Sequence, residues 1–186
     1  MKKIVLSLLI LLMAVPALAE APRSEPRSGL FVGTKVGLMR VQMKRDREKK
    51  DDLVFPFAVS LGLRLRRFRV EAEYAFATKA KREKYEQQTD TIMGQLYYDL
   101  FFKAPLHPYL NVGVGRHETK VKEKGLFKEE RKGWAWNVGG GMTWNVSNAV
   151  NIDFGYRFLD IGDLKTETGT VKTQHHFVFI GWRYVF

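Results

Sequence analysis

The chain has 186 residues, 45% of them hydrophobic and 27% charged, with no cysteine and a formal net charge of +11. Its mean hydropathy is −0.25. The missing cysteine excludes disulfides, thiol catalysis and a lipid-bearing cysteine after export, and a strongly basic balance points to anionic partners.

Lys2 and Lys3 precede an apolar run from Ile4 to Val15; Pro16 breaks it, and Ala17-Leu18-Ala19 has the A-x-A form of a cleavage site. The run is too short to span a bilayer as a helix, so residues 1–19 are expected to be a cleaved signal peptide. Loss of Lys2 and Lys3 leaves a charge of +9. Export argues against a nucleic-acid partner and turns the charge toward lipopolysaccharide phosphates and anionic glycans. Residues 20–28 are polar with two prolines and are expected to form a loose periplasmic lead-in. No later stretch reaches about 18 uninterrupted apolar residues, the length a membrane helix needs.

From residue 29 to 186 the pattern has period two, the signature of strands with one apolar face. Eight strands are predicted. The first, 29–41, sets Leu30, Val32, Val36 and Leu38 against Gly33, Lys35 and Gly37. The second, 53–65, sets Phe55 through Leu65 at odd positions against Pro56, Ala58, Ser60, Gly62 and Arg64. The third, 68–78, sets Phe68, Val70, Tyr74 and Phe76 against Arg69, Glu71 and Glu73. The fourth, 91–103, puts Ile92, Leu96, Tyr98, Leu100 and Phe102 outward and Gln95, Tyr97, Asp99 and Phe101 inward.

The fifth, 108–118, alternates Leu110, Val112 and Val114 with Tyr109, Asn111, Gly113 and Gly115. The sixth, 133–146, alternates Trp134, Trp136, Val138, Met142 and Trp144 with Asn137, Gly139, Gly141, Thr143 and Asn145. The seventh, 149–159, sets Val150, Ile152, Phe154, Tyr156 and Phe158 against Asn151, Asp153, Gly155 and Arg157. The eighth, 173–186, ends with Val178, Ile180, Trp182, Tyr184 and Phe186 on one face. Runs of about ten residues are the length of a tilted membrane strand.

The predicted connections alternate in length. Arg66-Arg67, Ala104 to His107 and Ser147-Asn148 are short, whereas 42–52, 79–90, 119–132 and 160–172 are long and charged. Short periplasmic turns, longer external loops and an even strand number describe an outer-membrane barrel with both termini in the periplasm. A soluble barrel with the apolar face inward is disfavoured. Its eight-stranded interior would be too narrow for large residues from every strand, while here the glycines fall on the polar face. The expected fold is therefore all-β, an eight-stranded antiparallel transmembrane β-barrel.

Gly155-Tyr156-Arg157-Phe158 and Gly181-Trp182-Arg183-Tyr184-Val185-Phe186 resemble the closing strands of the opacity-protein/surface-antigen family, related in architecture to the OmpA and OmpX barrels. The resemblance implies an integral outer-membrane protein of a diderm bacterium, with family roles in adhesion, resistance to host defence and envelope stability; a monomer is expected. It also implies that Trp182, Tyr184 and Phe186 form the signal read by the barrel-assembly machinery.

Two sets of residues carry the functional expectations. Lys35, Arg64, Arg69, Arg157 and Arg183 share the inner face with Glu71, Glu73, Asp99 and Asp153. Unpaired burial would be costly, so these nine are expected to form a paired network that plugs the lumen. The second set is basic and lies in the long connections: Lys44, Arg45, Arg47, Lys49, Lys50, Lys79, Lys81, Arg82, Lys120, Lys122, Lys124, Lys128, Arg131 and Lys132. It is expected to contact lipopolysaccharide or sulfated host glycans, with salt-sensitive affinity.

Two smaller features complete the reading. The inner glycines Gly113, Gly115, Gly139 and Gly141 are expected to make room for Tyr97, Phe101, Tyr109, Phe177 and Phe179. His117, Asp160, Asp163 and His175 fall near one rim, where an acid–base group could form, but no outward serine accompanies them. No catalytic, metal or cofactor site is expected. The leading expectation is a non-enzymatic surface protein; a small-conductance pore and a lipid A-modifying enzyme are the alternatives.

Overall fold

The computed structural model describes residues 28–45, 48–77, 80–81, 85–101, 103–123, 128–166 and 169–186. Ten antiparallel strand segments follow one another: β1 (Gly29–Arg45), β2 (Glu48–Val54), β3 (Pro56–Leu65), β4 (Phe68–Ala77), β5 (Ala80–Lys81), β6 (Tyr85–Asp99), β7 (Leu106–Glu123), β8 (Lys128–Asn145), β9 (Val150–Thr166) and β10 (Gly169–Val185). They make eight barrel staves. β2 and β3 pair with β1 in one unbroken register across Phe55, and β5 continues the β4 stave against β6. Each stave pairs with its sequence neighbour, and β1 pairs with β10 from Phe31↔Val185 to Lys44↔Lys172. That last ladder closes the sheet, so no row of backbone donors and acceptors is left at an edge.

The two faces follow the period-two pattern. Leu61, Val112, Trp134 and Val178 are among the exposed apolar residues of the outer face, while Arg64, Tyr97, Thr143 and Arg183 are buried inside. A narrow lumen requires small residues beside large ones. The register supplies this pairing on the inner face, in Gly33↔Arg183, Lys35↔Gly181, Gly37↔Phe179, Gly141↔Tyr109 and Gly155↔Phe179. A Cβ on Gly155 would lie 2.2 Å from the Tyr109 hydroxyl and 2.5 Å from Phe179 Cζ. Gly113 and Gly139 make room instead for Gln95, Asn137 and Asn111.

The structure corrects several expectations. The strands run well past their expected ends, through much of 42–52, 79–90, 119–132 and 160–172. The long connections are therefore continued β-hairpins rather than loops. Alternation of apolar and polar residues stops where the wall leaves its apolar band, but backbone pairing does not need it. The fourth stave ends at Asp99 rather than at 103. Phe101 turns out of the sheet with φ 49° and is 77% exposed, so it does not face the lumen. β7 already begins at Leu106, inside the expected turn. Val150, expected outward, is buried at the start of β9. Met39, Val41, Val54, Met93, Ala135, Leu159 and Ile161 give the lumen toward the long hairpins an apolar filling, although the inner face was expected to be mainly polar and charged.

The short turns are tightly bonded. Arg66 adopts φ 53°, and its backbone N–H donates to Ser28 Oγ at 3.1 Å. The Ser147 hydroxyl accepts from the backbone N–H of Ala149 (3.2 Å) and Val150 (3.0 Å).

Candidate functional site

The nine charged residues assigned to the inner face are all buried, and they assemble in two groups. In the first, Lys35 on β1 donates to Glu71 and, at 2.5 Å, to Glu73 Oε2, both on β4. Arg157 on β9 donates to Glu73 Oε1 at 2.6 Å and to the Tyr97 hydroxyl at 2.9 Å. Two cations and two carboxylates balance here.

The second group lies nearer the short turns. Asp153 accepts from Arg183 Nε (2.6 Å), Arg183 Nη2 (2.9 Å), Thr143 Oγ1 (2.6 Å) and Arg69 Nη1 (3.4 Å). Asp99 lies 2.8 Å from Arg69 Nη2 and accepts from Arg64 Nη2 at 3.1 Å. The arginine planes also stack on aromatic faces, Arg69 over Tyr97 (4.4 Å) and Tyr109 (5.0 Å), Arg157 over Phe179 (5.3 Å) and Arg183 over Phe31 (5.5 Å). Contacts of this kind hold a desolvated guanidinium that carboxylates alone do not fully surround.

Three further parts of the interior were given no role from the sequence. His107, read as a turn residue, is fully buried with Nε2 3.8 Å from Asp99 Oδ2. Extending the odd-inward parity of β7 by one step would have placed it there. Asn111 donates to Gln95 Oε1 (3.3 Å) and Asn137 Oδ1 (3.1 Å), forming an amide cluster above the charges. The apolar filling lies beyond, and the cavity between Glu73, Arg157, Met93, His175 and Phe177 holds only about 40 Å³.

The described members of the candidate rim group do not come together. His117 and His175 are buried on the inner face, whereas Asp160 has the opposite parity and accepts from the Gly162 backbone N–H at 2.7 Å. The Asp163 side chain is outside the described residues. Among the described residues no cluster of three or more metal-ligating side chains occurs.

Of the basic set, Lys132 is exposed and lies 3.6 Å from Glu118. Lys44, Arg45, Lys49, Lys50, Lys81, Lys120, Lys122, Lys128 and Arg131 have backbone positions in the hairpin strands. Arg47, Lys79, Arg82 and Lys124 lie outside the described residues. The terminal aromatics touch in sequence, Trp182 stacked on Tyr184 at 6.3 Å and Tyr184 edge-to-face with Phe186 at 5.3 Å.

A closed eight-stave wall, apolar outside and polar or packed inside, is a membrane barrel, and the sequence agrees over nearly its whole length. Residues 5–183 match the family described as outer membrane protein beta-barrel domain. The chain belongs to that family. The apolar outer face is thus the lipid-facing wall of an outer-membrane β-barrel protein.

Solved structures share the fold at low identity. Neisserial surface protein A aligns with a TM-score of 0.72 and 21% identity, over 86% of this chain and 98% of its own. OprG of Pseudomonas aeruginosa aligns with a TM-score of 0.56 and 12% identity, over 88% and 99%. Ail, the attachment invasion locus protein of Yersinia pestis, was solved in complex with the heparin analogue sucrose octasulfate; it aligns with a TM-score of 0.53 and 15% identity, over 84% and 99%. No curated protein matches the chain by sequence.

Proposed function

We propose that this outer-membrane barrel is a non-enzymatic surface protein whose basic hairpins contact lipopolysaccharide phosphates or sulfated host glycans. In this reading residues 1–19 are removed near Ala19, the barrel-assembly machinery reads Trp182, Tyr184 and Phe186, and the termini stay in the periplasm. The hairpins then project from the cell as paired strands. The observation that carries the reading is the placement of charge: residues 119–132 hold six Lys or Arg against three Glu, on a hairpin whose strands β7 and β8 continue beyond the apolar band. Paired strands hold their backbone in one register, so the basic side chains need less ordering on binding than those of a free loop. The complex of Ail with a sulfated heparin analogue supports the choice of ligand class, since it shows this barrel architecture presenting such a ligand.

The test is retention of the purified protein on immobilised heparin, titrated with salt. Wild type should elute in a salt-dependent manner, because screening shortens from about 10 Å at 0.1 M to about 3 Å at 1 M. Lys120→Glu, Lys122→Glu and Lys128→Glu together should abolish retention. Unchanged retention in that variant refutes the reading.

A further inference from the structure

A recess of about 610 Å³ lies on the outside of the wall and crosses β4, β6, β7 and β8. Its floor is one ladder row, Tyr74↔Ile92↔Arg116↔Trp134, and the row beyond holds Asp90↔Glu118↔Lys132. Arg116 is the unusual member. It has lipid-facing parity, directly after Leu110, Val112 and Val114, all exposed apolar residues.

The height of Arg116 can be counted. Leu106 pairs with Trp144 near the short-turn boundary, and Arg116 lies ten residues further along the same strand. At about 3.3 Å per residue and a tilt near 40°, ten residues climb about 25 Å, the height of the apolar band in such barrels. Arg116 therefore sits where the acyl region gives way to headgroups, the level of lipid phosphates.

The surroundings suit that neighbour. The Arg116 guanidinium lies 5.1 Å from the ring of Trp134 and makes no ion pair with the described residues. Two carboxylates share the recess: Glu118, which lies 3.6 Å from Lys132, and Asp90 on β6. An arginine fixed over an exposed indole keeps its planar donors aligned for a bidentate anion. Beside Arg116 lies Ile92, 65% exposed, and two residues back along β7 lies Val114, 58% exposed, so an apolar surface adjoins the recess on its membrane side.

The geometry points to a binding site for a phosphorylated outer-leaflet lipid, with the lipid A phosphate on Arg116, Trp134 as one wall and an acyl chain along Ile92 and Val114. This site deepens the lipopolysaccharide part of the proposed function and rests on the hairpins facing outward. It is distinct from the basic residues at the hairpins.

The experiment uses the full-length protein in phosphatidylcholine nanodiscs containing either diphosphoryl lipid A or its dephosphorylated form, with retained lipid counted by native mass spectrometry after mild release. Wild type should retain the diphosphoryl form preferentially, and Arg116→Glu should lower retention roughly tenfold, as expected for loss of a charge-assisted contact. Trp134→Leu, which leaves every charge in place, should lower it several-fold and serves if Arg116→Glu does not fold. Equal retention of both lipid forms overturns the site. So does unchanged retention in the folded variants, or displacement of the lipid by inorganic phosphate. Heparin retention of Arg116→Glu should stay at the wild-type level, so failure here is separable from failure of the hairpin reading.

Discussion

At the residue scale, Asp153 is the side chain on which the interior depends most. It accepts from Arg183 twice, from Thr143 and from Arg69, at distances between 2.6 and 3.4 Å. Asp153→Ala would leave two guanidiniums buried without that carboxylate. The expected cost is about 3–5 kcal/mol, the usual result of breaking one side of a buried pair, and urea titration in detergent micelles should show it. The glycines allow a sharper contrast. Gly155→Ala would drive a methyl group into Tyr109 and Phe179, and overpacking of this kind costs about 1–3 kcal/mol. Gly94→Ala, whose new Cβ would find its nearest neighbour at 3.7 Å, should be close to neutral in the same titration. Equal effects at the two positions would show that lumen crowding does not set the glycine pattern.

At the element scale, what the sequence made legible follows from what alternation records. A strand facing lipid on one side and a narrow lumen on the other must alternate, so the eight staves and the nine inner charges could be read from parity. Alternation is silent once the wall leaves the bilayer. The hairpin continuations of β7 and β8 were therefore invisible, although their backbones pair as regularly as those below. Parity also says nothing of what fills the lumen at each height: Met39, Leu159 and Ile161 sat in predicted inner positions or hairpin segments without a signal that they would pack together. Arg116 had the right parity and the wrong chemistry for its face, which marked it only once its height was known. Turns were legible from length, not from backbone shape. Arg66 shows the cost of this, since its φ of 53° is uncommon outside glycine, asparagine and aspartate. Arg66→Val should destabilise the barrel by about 1–2 kcal/mol, and Arg66→Gly should be tolerated; slower refolding of the valine variant, followed by the gel shift between folded and unfolded barrel, would report the same strain.

At the scale of the whole molecule, the two fillings of the lumen lie in series. Toward the short turns, arginines and carboxylates interlock; toward the hairpins, Met39, Val41, Phe177 and Phe179 pack against one another. An ion crossing the barrel would have to displace paired charges and then pass an apolar plug, which repels ions for a different reason: a hydrated ion would lose its water there with no polar group to replace it. This arrangement argues against the small-pore alternative and makes a specific prediction for planar bilayers. Wild type should show no unitary steps. Glu73→Ala with Arg157→Ala removes one cation and one carboxylate, and leaves Lys35 paired with Glu71, so charge balance survives while the polar layer thins. Phe177→Ala with Phe179→Ala thins the apolar layer, where the rings stack at 5.1 Å. Each pair alone should stay silent because the other layer still closes the path, and the four substitutions together should open steps. Conductance from either pair alone would mean that a single layer forms the seal; steps from wild type would mean that the network rearranges readily and would restore the pore reading.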